Sequence, residues 1–227
     1  MSARDNILAR IRARQGKSAA PDAAEREAVR SHIAAHPQNP RPRAEWDPVA
    51  RFREQAVSLA STVDKVETLA AVPAAVAHYL EARGLPRAAV CWRELVGLDW
   101  KAAGIRVEAR AARSSDLVGV TGAFCAVAET GTLMTVSGPD TPAAMSLLPE
   151  THIAVVPASR IVRGMEEAWQ LLRDELRQPP RAVNFISGPS RSADIEQTVA
   201  LGAHGPYRVH IVLVGRGTSD GSAYERG

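Results

Sequence analysis

Segments of helical and strand spacing alternate between Val49 and Glu108, and this alternation is what most narrows the folds open to the chain. Residues 49–60 place Val49, Phe52, Ala56, Val57 and Leu59 at mixed three- and four-residue spacing, and residues 63–68 then alternate valine with charge. Residues 72–83 are again amphipathic, closed by Gly84 as a left-handed cap with Pro86 just beyond. Short apolar runs follow at 88–91 and 105–108. Helix and strand in repetition predict an α/β fold with a mixed, largely parallel sheet flanked by helices.

From Leu117 the texture changes to closely spaced strand segments at 118–120, 124–128, 133–137 and 153–156. Residues 165–176 form a helix with Met165, Ala168, Trp169, Leu172 and Leu176 on one side. The run AVNFIS at 182–187 suits a strand buried on both faces of a sheet. Residues 207–214 alternate Tyr207, Val209, Ile211 and Leu213 against Arg208 and His210, as a strand with one wetter face should.

Toward the amino end, Ile7, Leu8 and Ile11 recur at helical spacing among Arg4, Arg10, Arg12 and Arg14, with Asp5 available to start the helix. A second helical pattern runs over 23–35, and a proline-rich linker follows. The organisation read from this is a helical arm and linker over 1–47, an α/β domain over 48–214 and a flexible glycine- and serine-rich tail over 215–227. At 227 residues and 45% apolar content, the chain can bury a sizeable core.

The net charge of +3 is small and concentrated in the first helix, which suits either a solvated face or an acidic partner. Trp46, Trp92, Trp100 and Trp169 are scattered, without the basic and aromatic interleaving of a nucleic-acid platform. Cys91 and Cys125 lie in apolar runs and are too few for the four thiolates of an iron–sulfur cluster or structural zinc site. The histidines show no metal-ligand spacing, so no metal or cofactor is expected to be held by this chain alone. No run approaches the ~18 apolar residues of a membrane span, and no secretory signal is evident, so a cytoplasmic protein is expected.

Three glycine-punctuated bends carry the residues suited to chemistry. In SGPSRSADIE, residues 187–196, a helix is expected to begin at Ser190 or Ser192, whose hydroxyl caps the first turn. Gly188, Ser190, Arg191 and Ser192 can then hold an oxyanion or carboxylate, whereas Asp194 and Glu196 argue against a phosphate cradle and no P-loop lysine is present. The second bend, Gly202 to Pro206, presents His204 as a general acid or base. In the third, Glu129, Thr130, Gly131 and Thr132 form either a plain hairpin or a nucleophile beside two hydroxyls, with Thr121 and Gly122 lining the same pocket. Each bend also has a purely structural account, as cap, loop closure or hairpin, and spacing leaves both open.

The segments GVTGAFCAVAETGTL (119–133), NFISGPSRSADIE (184–196) and LGAHGPYRVHIVLV (201–214), in that order, resemble the lactate utilization protein C family, the LUD-domain proteins, as does NILARIRA near the amino end. The resemblance implies a fold like that of the ribose-5-phosphate isomerase, glucosamine-phosphate deaminase and CoA-transferase superfamily. It implies a role in oxidising L-lactate to pyruvate beside two partner proteins that carry iron–sulfur centres. A glutamate nucleophile in some CoA-transferases makes Glu129 an analogue by fold, and the isomerase signature is absent. The expected cleft is formed by 129–132, 188–194 and His204, and its catalytic candidates are Glu129, Asp194 and His204. In it Arg191 holds the carboxylate of lactate and His204 takes its hydroxyl proton. Two other functions fit: a non-catalytic assembly subunit whose basic first helix docks an iron–sulfur partner, and an independent enzyme on a CoA ester or sugar phosphate.

Overall fold

The computed structural model describes residues 2–16, 21–38, 40–41, 45–176, 178–192, 200–202 and 204–215. The chain divides into two compact units after residue 43. In the first, α1 (Ala3–Arg14) and α2 (Ala23–Ala35) both open with a reciprocal cap. Ser2 accepts from the Asp5 amide and Asp5 reaches back to the Ser2 amide, so Asp5 sits inside the helix and Ser2 starts it. Asp22 and Glu25 do the same for α2. Neither helix has a buried residue.

The second unit opens with α3 (Pro48–Ser58), whose Asp47 cap accepts from the Ala50 amide. β1 (Thr62–Val66) follows, then α4 (Val72–Ala82), β2 (Ala88–Cys91), β3 (Arg106–Glu108) and β4 (Val118–Gly122). Gly84 does take the left-handed conformation beyond α4, at φ +60°. After β4 come β5 (Cys125–Val127), β6 (Thr132–Val136), α5 (Ala144–Leu147), β7 (Thr151–Pro157), β8 (Ile161–Val162) and α6 (Met165–Glu175). The remaining strands are β9 (Val183–Ile186), β10 (Arg191–Ser192), β11 (Ala200–Leu201) and β12 (Arg208–Val214).

Six strands form a wholly parallel sheet in the order β1-β12-β7-β4-β2-β3. Four more form a separate mixed sheet in the order β8-β5-β6-β9. The alternation of side chains along each strand explains the layering. Ile153, Val155 and Val212 point to one face of the parallel sheet and pack under Val72, Val76 and Leu80 of α4. Ala154, Val156, Val209, Ile211 and Leu213 point to the other, against Phe52 and Ala56 of α3 and Ala126, Leu133 and Ile186 of the second sheet. That second sheet turns Cys125, Val127 and Met134 outward onto Ala168 and Leu172 of α6.

Three expectations are corrected by these contacts. β9 is not a doubly buried strand of the parallel sheet; it is the antiparallel edge of the second sheet, with Val183, Asn184 and Phe185 half-buried. The wetter face expected for the last strand is absent, because β12 lies between β1 and β7 and both of its faces are covered. His210 is buried under Tyr79 of α4, the rings stacked with centroids 3.9 Å apart. No helix starts at Ser190 or Ser192, since Arg191 and Ser192 are extended and pair with Leu201 and Ala200. Residues 193–199, including Asp194 and Glu196, lie outside the described residues, as does the tail beyond Gly215. Among the described residues no helix is long and apolar enough to cross a membrane.

Candidate functional site

The β5–β6 hairpin turns through residues 128–131, and Gly131 adopts φ +65° at its tip. A side chain there has no room, because a Cβ would fall 2.5 Å from the Ala56 amide of α3. The chain leaving β9 turns at Gly188, φ +80°, where a Cβ would fall 2.3 Å from the Leu59 carbonyl oxygen. Both bends are therefore seated against the end of α3. Their hydroxyls meet: Thr130 Oγ1 lies 2.8 Å from Thr132 Oγ1, which lies 2.8 Å from Ser187 Oγ.

Ser190 carries the line onward to the third bend. Its amide donates to the Pro206 carbonyl at 2.9 Å, its carbonyl accepts from the Gly202 amide at 3.0 Å, and its hydroxyl accepts from the His204 amide at 3.3 Å. The hydroxyl run Thr130–Thr132–Ser187 joins the first two bends, and the hydrogen bonds of Ser190, three residues on from Ser187, join the second bend to the third. Arg191 and His204 are exposed on the second and third bends, and Glu129 is half-buried, its amide held by the Arg163 carbonyl at 2.9 Å. Hydroxyls, a guanidinium and an imidazole on these bends are group types suited to a small anion.

Thr121 and Gly122 do not belong to this hydroxyl rim. They end β4 in the parallel sheet, where Thr121 is fully buried. The Thr121 hydroxyl donates to the Gly122 carbonyl at 2.8 Å and contacts His152 Nε2 at 2.7 Å. With that single hydroxyl proton given to Gly122, the imidazole is the Nε2–H tautomer and donates to Thr121. Burial lowers the His152 pKa to about 4, so the ring is neutral near pH 7.

Gly122 opens instead onto a cavity of about 320 Å³ at the carboxyl ends of β2, β4 and β7. Ligands of open α/β sheets collect at such strand ends. Trp92, Leu95, Phe124 and Val155 supply apolar wall, and Glu94, Arg160 and Glu175 supply charge. Arg160 donates to the Phe124 carbonyl at 2.7 Å and to both carboxylate oxygens of Glu175 at 2.5 and 3.1 Å. Glu94 is exposed as a residue, its Oε1 lies beside Gly122, and burial by the surrounding protein raises its pKa. Gly122 is the only sequence candidate that lines this cavity among the described residues. Glu94 was visible in principle, since CWREL directly follows an apolar strand. Arg160 was not, because its partner Glu175 and its neighbour Phe124 come from other elements.

Cys91 and Cys125 are buried and their thiols are pushed up to about 12, so neither is a thiolate at neutral pH. Among the described residues no three histidine, cysteine or carboxylate side chains gather as a metal site.

A crystal structure of a DUF162 family protein from Deinococcus radiodurans shares this fold, with a TM-score of 0.55 at 23% identity, covering 78% of this chain and all of that one. Lactate utilization protein C of Exiguobacterium sp. is 46% identical over 101 residues, 43% of this chain and 44% of that protein. The protein of the same name from Bacillus subtilis is 41% identical over 100 residues, 43% of this chain and 42% of the relative. That from Anoxybacillus flavithermus is 35% identical over 115 residues, 51% of either chain. The chain thus spans about half or less of the length of these curated relatives. Residues 60–214, more than half of the chain and every strand among the described residues, match the model described as LUD domain, and the chain belongs to that family.

Proposed function

We propose that this chain is a subunit of a lactate-utilization system that oxidises L-lactate to pyruvate, and that it contributes the site for the small acid. The observation that supports this reading is the pair of hydrogen-bonded links, Thr130–Thr132–Ser187 between the first two bends and Ser190 to the His204 amide between the second and third. Arg191 would hold the carboxylate of lactate and His204 would take the hydroxyl proton, while the carbon-bound hydrogen and its two electrons would pass together to an acceptor on the partner proteins. Iron–sulfur centres on two partner proteins would supply the onward electron transfer, and the two buried neutral thiols of this chain would take no part in holding them. The names of the relatives support the lactate assignment.

Thermal unfolding of the purified chain with L-lactate and pyruvate tests the reading, since a ligand bound only by the folded state raises the melting temperature. Arg191→Ala should weaken lactate binding roughly tenfold or more, the loss of one charge-assisted pair. His204→Ala should retain binding and lower lactate-dependent electron transfer in the reconstituted complex by about a hundredfold. Unchanged transfer in both variants would refute the acid site.

One observation favours a second reading, assembly without catalysis. Neither arm helix buries a residue, and Ile7, Ile11, Val29 and Ile33 are all exposed. If the arm docks an iron–sulfur partner, deleting the residues before Pro21 abolishes complex formation and leaves small-molecule binding intact.

A further inference from the structure

The cavity at the ends of β2, β4 and β7 has a different chemistry from the hydroxyl rim. We infer that it is a second binding site, for a molecule with an apolar body that presents a hydrogen-bond donor, best an amine, to Glu94. Its volume of about 320 Å³ lies at the lower end of the range for small-molecule sites, about 300–1,000 Å³. Trp92, Leu95, Phe124 and Val155 suit an aromatic or aliphatic body rather than a heavily hydrated small acid.

The charges decide the polar end. Arg160 is not a hook for an anion, because its guanidinium is spent on the Glu175 carboxylate and the Phe124 carbonyl and lies 4.8 Å from the centre of the Phe124 ring. Glu175 is engaged by the same pair. Glu94 is left as the carboxyl without a hydrogen bond or ion pair among the described residues. A ligand carboxylate would meet like charge there, whereas an ammonium or hydroxyl would meet an acceptor.

Gly122 supports the assignment from the opposite wall. A Cβ at that position would lie 2.3 Å from Glu94 Oε1 and 3.4 Å from the Trp92 ring, so the bare backbone is what lets the carboxyl lie where it does. The other titratable groups nearby are accounted for. On the strand and turn that carry Glu94, the Cys91 thiol is neutral and Arg93 is turned to Asp140 at 2.7 Å; across the cavity, Arg160 and Glu175 are paired. The raised pKa of Glu94 adds that an amine should bind more tightly as the pH rises and the carboxyl ionises.

Benzylamine, benzyl alcohol and benzoate, titrated separately into the full chain by NMR, test the site. Benzylamine should bind at millimolar concentration, above benzyl alcohol and at least about tenfold above benzoate. Glu94→Gln should lower benzylamine affinity about tenfold, to the level of benzyl alcohol, and remove its pH dependence. Ser159 is exposed at the lining, so Ser159→Trp should block both ligands without disturbing the core. Arg191→Ala should leave benzylamine binding untouched, which separates this site from the lactate rim. Benzoate binding as well as benzylamine, no benzylamine binding, or an unchanged amine preference in Glu94→Gln would each overturn the inference.

Discussion

Replacing Gly188 by alanine should destabilise the fold by about 2–5 kcal/mol, one of the largest effects open to a single methyl group in this chain. Two costs add. At φ +80° an L-residue is strained, by about 1–2 kcal/mol. The new Cβ would also lie 2.3 Å from the Leu59 carbonyl oxygen, a backbone atom that cannot swing aside, and such overpacking costs about 1–3 kcal/mol. Gly84 provides the comparison, because it too is left-handed, at φ +60°, but nothing lies within 4 Å of its missing Cβ. Gly84→Ala should therefore cost only about 1 kcal/mol. Urea unfolding of both variants checks the pair, and equal losses would show that the contact with α3 does not matter. Because Gly188 lies between Ser187 and Ser190, its replacement should also separate the hydroxyl rim from the His204 bend.

Acid should weaken the protein well before its surface carboxylates titrate. His152 has no exposure to solvent, and burial lowers its pKa to about 4 from an ordinary 6.5. Between those values the unfolded chain holds a proton that the folded chain does not, so stability falls as the pH drops from about 6.5 and stops falling below about 4. The loss from this one side chain is about 3 kcal/mol over the whole interval. His210 acts in the same direction, since burial outweighs the pull of Asp64. Asp116 belongs to a lower window: its hydrogen bonds with Arg110 hold it near 2, so its contribution is lost only as the pH falls through 3.8 and below. Urea midpoints at pH 7.5 and 4.5 measure the effect in wild type and in His152→Gln, whose amide can still donate to Thr121. Parallel losses in the two proteins would mean that His152 is not the group responsible.

Local pattern carried much of the fold. The strand Ala88–Cys91 and the helix Ala23–Ala35 have the bounds that spacing predicts, and the left-handed Gly84 ends α4 as expected. Partnership was not legible. AVNFIS reads the same whether it lies inside a parallel sheet or at the edge of an antiparallel one, and only the pairing with β6 decides. His210 reads as wet because the ring that covers it, Tyr79, lies on a helix far back in the sequence. The serines at 190 and 192 suit a helix cap, yet the left-handed turn at Gly188 and the hydrogen bonds of Ser190 send the chain into a short extended pair. The setting of the bends was not legible: the hairpin belongs to the second sheet, while Thr121 and Gly122 end a strand of the first.

The place of β12 governs how the polypeptide can acquire its shape. Thr62 and His210 are bonded at 2.8 Å although 148 positions separate them, and among the described residues β1 pairs with no strand but β12. During synthesis, then, β1 waits beside an open slot until Arg208–Val214 has left the ribosome. Contacts of such long range slow folding, and until the slot fills, both β1 and β7 present bare backbone edges that invite aggregation. A ribosome-stalled intermediate ending just before β12 should accordingly be the species most dependent on chaperones.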